Sequence, residues 1–153
     1  MGSSAIQRDL YIDASPEIVF EVISNPAHLG QWFSDEACYD PTPGAAGEVV
    51  FFDRGRGERT FSLTVLEVAP PRTFSFCWTE PLGTSPVAGQ PLVVTFELTP
   101  SRGGTVVRMT ETAFGDAGGD AAAVDEHRRD HVRGWSLFLP NLAPYVQALQ
   151  ARS

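Results

Sequence analysis

Between Ile6 and Asp13 apolar and polar side chains alternate, with Ile6, Arg8, Leu10 and Ile12 on one face. A period of two marks a half-buried strand, because successive side chains leave a pleated backbone on opposite sides. The strand gives way to Ala14-Ser15-Pro16-Glu17. Ser15 suits an N-cap, Pro16 suits the first helical position, where no backbone donor is needed, and Glu17 puts negative charge at the positive end of the helix. Ile18, Val19, Val22 and Ile23 follow at helical spacing. Asn25-Pro26 repeats the start signal at once, and a second short helix closes on Leu29, Trp32 and Phe33.

The middle of the chain reads as strands: Gly47 to Asp53, Arg59 to Val68, Thr73 to Thr79, Leu92 to Thr99 and Thr105 to Ala113. Arg54-Gly55-Arg56-Gly57, Ala69-Pro70-Pro71-Arg72 and Ser101 to Gly104 are turns, and residues 81–91 form a long loop. Phe74, Phe76 and Trp78 share a face, as do Val94, Phe96 and Leu98, and Val107, Met109, Glu111 and Ala113. Consecutive strands without helical crossovers predict an antiparallel meander.

After a glycine-rich hinge over 115–119, Asp120 can cap a long helix reaching about Gln150. Val124, Arg128, His131, Trp135, Phe138, Leu139, Leu142, Val146 and Leu149 recur at helical spacing. Pro140 removes a donor and crowds the carbonyl of Ser136, so a kink is expected there. Two separate helices are the alternative; the stripe staying in phase across Pro140 favours one kinked helix.

Strand, two short helices, a run of strands and a final helix predict an α+β fold, a curved antiparallel sheet whose apolar face is covered by the C-terminal helix. The large inward side chains, Phe51, Phe74, Phe76, Trp78, Phe96, Met109, Trp135 and Phe138, could fill a core or line a pocket. The pattern alone does not choose between them.

Composition narrows the partners. The 153 residues fit one domain, 6–150, behind a disordered leader, 1–5. No apolar run approaches the length of a membrane span and no signal peptide is legible, so neither membrane insertion nor secretion is expected. Cys38 and Cys77 form no CxxC pair, which suits a reduced, cytoplasmic setting. A net charge of −8 disfavours nucleic acid and anionic lipid as partners, and Arg128, Arg129 and Arg133 read as a solvated helix face. Exposed edge strands leave room for a homodimer.

Candidate chemistry is sparse. His127 and His131 are one turn apart, with Glu126 and Asp130 nearby, but the arrangement is not HExxH and two arginines intervene, so no metal is expected. His131, one turn before Trp135, is placed toward a pocket mouth, with His127 more exposed. Glu111, in phase with Val107 and Met109, is the notable charge on the apolar face. Such a carboxylate must find a partner or a proton. It could anchor a polar ligand group or work with His131 as an acid or base; alternatively it reaches solvent or pairs with Arg8. Neither cysteine nor Ser136 has the context of a nucleophile, and no glycine loop opens a helix for a phosphate. No catalytic set and no cofactor are expected.

Several pieces, taken in order, carry a resemblance. They are Ala14-Ser15-Pro16-Glu17-Ile18-Val19-Phe20, Trp32-Phe33, Glu67-Val68-Ala69-Pro70-Pro71-Arg72-Thr73-Phe74 leading to Trp78, Gly103-Gly104-Thr105, and Gly134-Trp135 with Leu139 and Leu142. The set resembles the START-like, birch-pollen-allergen-type superfamily and, within it, the homologues of the activator of Hsp90 ATPase. The resemblance implies a helix-grip fold with a cavity between sheet and last helix, and a small hydrophobic or amphipathic molecule as partner. The expected ligand contacts are Trp32, Phe51, Phe76, Trp78, Phe96, Met109, Glu111, His131, Trp135, Phe138 and Leu139. The superfamily also holds cyclase-like and hydrolase-like enzymes and chaperone-associated stress modules. An enzyme here would depend on Glu111 and His131. A chaperone role is the weakest expectation, because the sheet already begins at residue 6, with no separate chaperone-binding domain before it.

Overall fold

The computed structural model describes residues 6–53, 57–79, 91–113 and 121–151. Strand β1 (Ile6–Ile12) leads into helices α1 (Pro16–Ser24) and α2 (Pro26–Trp32). Six strands follow: β2 (Glu36–Cys38), β3 (Ala46–Asp53), β4 (Gly57–Ala69), β5 (Thr73–Thr79), β6 (Leu92–Ser101) and β7 (Gly104–Ala113). The C-terminal helix runs as α3 (Ala121–Phe138), a 3-10 turn (Leu139–Asn141) and α4 (Leu142–Ala151). The strands form one antiparallel sheet in the order β1-β7-β6-β5-β4-β3-β2. This is the expected helix-grip architecture.

The two helix starts form as their sequences dictate. Ser15 accepts a hydrogen bond from the Ile18 amide at 3.4 Å. Asn25 closes α1 through its own N–H to the Glu21 carbonyl and opens α2 by accepting from the Ala27 amide at 2.9 Å. Such caps are worth about 1 kcal/mol each. The buried stripe of α1 differs from expectation: Phe20 packs edge-on against Phe74, while Ile18 faces outward. The sheet's inner face therefore has two covers, with α1 sharing the work of the C-terminal helix.

Three further features depart from the sequence reading. Strand β2 was not anticipated, because three residues are too few to show a period. It lies close enough to β3 that a Cβ on Gly47 would strike the Cys38 carbonyl. The C-terminal helix does not simply kink at Pro140: its α-geometry is interrupted by the 3-10 turn, although Phe138 and Leu142 on either side keep right-handed helical angles. Strand β4 carries a bulge between Val65 and Glu67, and Leu66 and Glu67 both lie outside. The β6–β7 hairpin turns through Arg102 and Gly103, both at positive φ (52° and 84°), the geometry that matches the twist of the strands it joins. The leader 1–5, most of the Arg54–Gly57 turn, nearly all of the 81–91 loop, the 115–119 hinge and the Asp120 cap lie outside the described residues, as do the side chains of Val124, His127 and Arg128.

Under the helices the core is continuous. Phe74, Phe76, Val94, Phe96, Val107 and Met109 are buried on the sheet; Trp135, Leu139, Leu142 and Val146 meet them from the C-terminal helix. Each such side chain contributes about 1.5–3 kcal/mol by leaving water.

Candidate functional site

The sheet and α3 part at one end of this core, leaving a cleft of about 470 Å³ between α3, the end of α2 and strands β3 to β5. Its aromatic walls are Phe33, Phe51, Phe61, Trp78, Trp135 and Phe138. Phe33 stacks on Trp135 with ring centres 5.1 Å apart, and Phe61 stacks on Trp78 at 4.6 Å. Phe52 and Leu137 line the opening and are exposed, at 54% and 67%. The polar lining is Asp35, Arg59, His131 and Arg133. Asp35 accepts from the Phe52 amide through its carboxylate, and Arg59 lies over the Phe61 ring. Gly134, on the helix wall, leaves the space a side chain would fill.

Behind the wall sits Glu111, only 3% exposed. One carboxylate oxygen accepts from Trp78 Nε1 at 2.7 Å; the other accepts from Trp135 Nε1 at 3.2 Å and lies 2.9 Å from His131 Nδ1. An indole N–H can only donate, so both oxygens serve as acceptors. A buried carboxylate is costly unless its charge is matched by such donors. Neither alternative from the sequence holds: Glu111 is away from solvent, and Arg8 is exposed with its guanidinium on the Gln7 carbonyl. The long Arg8 side chain on edge strand β1 turns to water rather than into the core. All three groups around Glu111 line the cleft, so this carboxylate sets the position of its deepest wall.

The expected ligand contacts divide in two. Phe51, Trp78, His131, Trp135 and Phe138 come together in the cleft wall. Trp32, Phe76, Phe96, Met109 and Leu139 are buried in the packed core away from the cleft lining, and Glu111 stands behind it. Trp32 spends its N–H on the Val22 carbonyl at 3.3 Å. Sequence reasoning missed Phe33, Asp35, Phe52, Arg59, Phe61, Arg133, Gly134 and Leu137. Arg59 and Phe61 carried a signal, since they share the face of Leu63 and Val65 along β4.

Other candidates fall into place around the site. Cys77 is half-buried, and burial pushes its thiol up, away from the reactive thiolate. Among the described residues no cluster of three His, Cys, Asp or Glu side chains could hold a metal ion, and no helix is long and apolar enough to cross a membrane.

Comparison with known proteins bears on the whole chain. The model of a family described as activator of Hsp90 ATPase homolog 1-like protein matches residues 13–147. No curated protein matches the sequence. Among solved structures, protein MLL2253 from Mesorhizobium loti is similar with a TM-score of 0.78 and 22% identity, over 94% of this chain and 97% of that one. Mll3558 from Rhizobium loti gives 0.70 and 27%, over 92% and 95%. DynU16, described as a putative protein in the dynemicin biosynthetic locus, gives 0.72 and 23%, over 95% of this chain and 48% of that one.

Proposed function

Since the chain belongs to the activator of Hsp90 ATPase homolog 1-like family, within the START-like superfamily, we propose that it binds a small hydrophobic or amphipathic molecule in the cleft between α3 and strands β3 to β5. The observation that carries this reading is the cleft itself: about 470 Å³, walled by six aromatic side chains, with a few polar groups at its margin. Volumes of this order and such linings are typical of small-molecule sites. Among the described residues Phe76, Phe96 and Met109 belong to the packed core rather than to the lining, so the ligand is placed at the open end of the grip. Trp78 and Trp135 both touch the cleft, so an apolar probe should change their fluorescence on binding. Probe binding that leaves tryptophan emission untouched would argue against this location.

One contact favours a second reading, that of an enzyme. A carboxylate on Nδ1 of a histidine that faces a cleft is how general bases are held in register. In that reading Glu111 is the positioning residue and His131 the base, since both Glu111 oxygens are already engaged. A ligand-bound structure whose reacting atom lies beyond one bridging water from His131 would exclude it.

A further inference from the structure

Among the described residues, the charges that line the cleft run against the net charge of the chain. The protein carries −8 overall, yet among the described residues the lining has two arginines and a single carboxylate. That carboxylate, Asp35, accepts from the Phe52 amide at 2.6 Å, which holds it against the backbone of β3. Arg59 enters from β4 and Arg133 from α3, on opposite walls. Both arginines have interactions within the protein. A guanidinium carries five N–H donors, however, so an existing partner does not exhaust it. Arg59 also lies 5.5 Å from the centre of the Phe61 ring, and Phe61 stacks on Trp78. A cation and a stacked aromatic floor are thus adjacent in one site.

Resting on the cleft as the binding site, we propose that its ligand class is a planar aromatic molecule bearing an acidic group. The ring lies against the aromatic walls, and the anion meets Arg59 and Arg133 at the margin. Guanidinium groups suit planar oxyanions because two parallel N–H bonds can form at once. A neutral apolar ligand would gain the same walls and nothing from the arginines. The acidic surface elsewhere would repel an anion, so any preference for one must arise locally.

The test compares two probes with a shared ring system: 1-anilinonaphthalene-8-sulfonate, which is anionic, and N-phenyl-1-naphthylamine, which is not. Binding to the full chain is followed by probe and tryptophan fluorescence at low salt. The anionic probe should bind about fivefold more tightly or better, with the difference shrinking as salt rises. Arg59→Gln and Arg133→Gln should each lower the ratio of anionic to neutral probe affinity by about threefold or more. Equal or tighter binding of the neutral probe overturns the acidic-ligand proposal and leaves the cleft reading standing. So does an equal loss for both probes in the arginine variants. Binding of neither probe overturns the cleft reading and this proposal with it.

Discussion

Trp78 on β5 donates its indole N–H to Glu111 on β7 at 2.7 Å, reaching across β6. The same carboxylate receives Trp135 from α3 and contacts His131, so one buried charge ties the last helix to two strands. Glu111→Gln keeps one acceptor oxygen but turns an amide N–H₂ toward groups that themselves donate. The variant should lose about 2–4 kcal/mol of stability, which for a chain of this size lowers Tm by roughly 5–15 °C. Urea unfolding followed by tryptophan fluorescence measures it. A loss below about 1 kcal/mol would show that the carboxylate is not the tie.

Ligand binding and core packing can be separated at the cleft. Trp135 is buried and touches Phe33, Trp78 and Phe96, so Trp135→Ala should cost about 3–5 kcal/mol as well as affinity. Phe138 is only partly buried and lines the cleft. Phe138→Ala should weaken an apolar probe about fivefold or more for a smaller stability loss, about 1–2 kcal/mol. Phe96→Ala should do the reverse, since Phe96 lies in the core away from the lining. Titration with the neutral naphthylamine probe, alongside thermal melts, distinguishes the three.

Alkaline stability should be limited by Tyr39. Its hydroxyl is buried and donates to the Ser24 carbonyl at 2.7 Å, and desolvation pushes its pKa well above the ordinary 10.0. In the unfolded chain the phenol loses its proton near pH 10, while in the folded chain it keeps it. The unfolded state then binds fewer protons, so stability is complete below about pH 10 and falls as pH rises beyond it. Tyr39→Phe should flatten that fall while losing the hydrogen bond at neutral pH. Denaturant melts between pH 8 and 11.5 test the sign.

Thiol chemistry should resolve into two rates. Cys38 is exposed on β2, whereas Cys77 is half-buried with its thiol raised by desolvation. At pH 8 a disulfide reagent should label one thiol per chain quickly and the second at least about tenfold more slowly. Cys38→Ser should remove the fast phase. A fast phase that survives in this variant would place Cys77 in a more open position than β5 allows.

Much of this was legible before any coordinates, for reasons that can be named. Ser15-Pro16 and Asn25-Pro26 announce their helices because the cap and the missing donor fall at adjacent positions. Strands β5 and β6 announce themselves because one face of each is uniformly apolar, and β7 because Val107 and Met109 keep the same phase around Glu111. Strand β2 was illegible because Glu36–Cys38 is shorter than two periods. Glu111 stood out by its phase and His131 as a possible partner, but Trp78 and Trp135 were read only as apolar surface. Trp78 and Trp135 each carry an N–H that must be satisfied when buried, and that requirement, beside an in-phase carboxylate, was the missed signal. The division between cleft and core could not be read, because Phe51 and Phe96 look alike in pattern, and only their three-dimensional neighbours make one a lining residue and the other buried core.

The bulge in β4 has a bearing on the cleft beyond its effect on the sheet. Up to Val65 the inward residues are the odd-numbered ones, and Val65 pairs with Phe76; past the bulge the even-numbered Val68 pairs with Phe74. The strand thus changes its reading frame once, at Leu66. The same sequence paired without a bulge could keep Val68 over Phe74 only by turning Phe61 and Arg59 to the outer surface. The bulge is therefore what lets Arg59 and Phe61 share the inner face with Val68, and deletion of Leu66 would remove the bulge while leaving both side chains on the cleft wall, with Val65, Glu67 and Val68 in unbroken alternation.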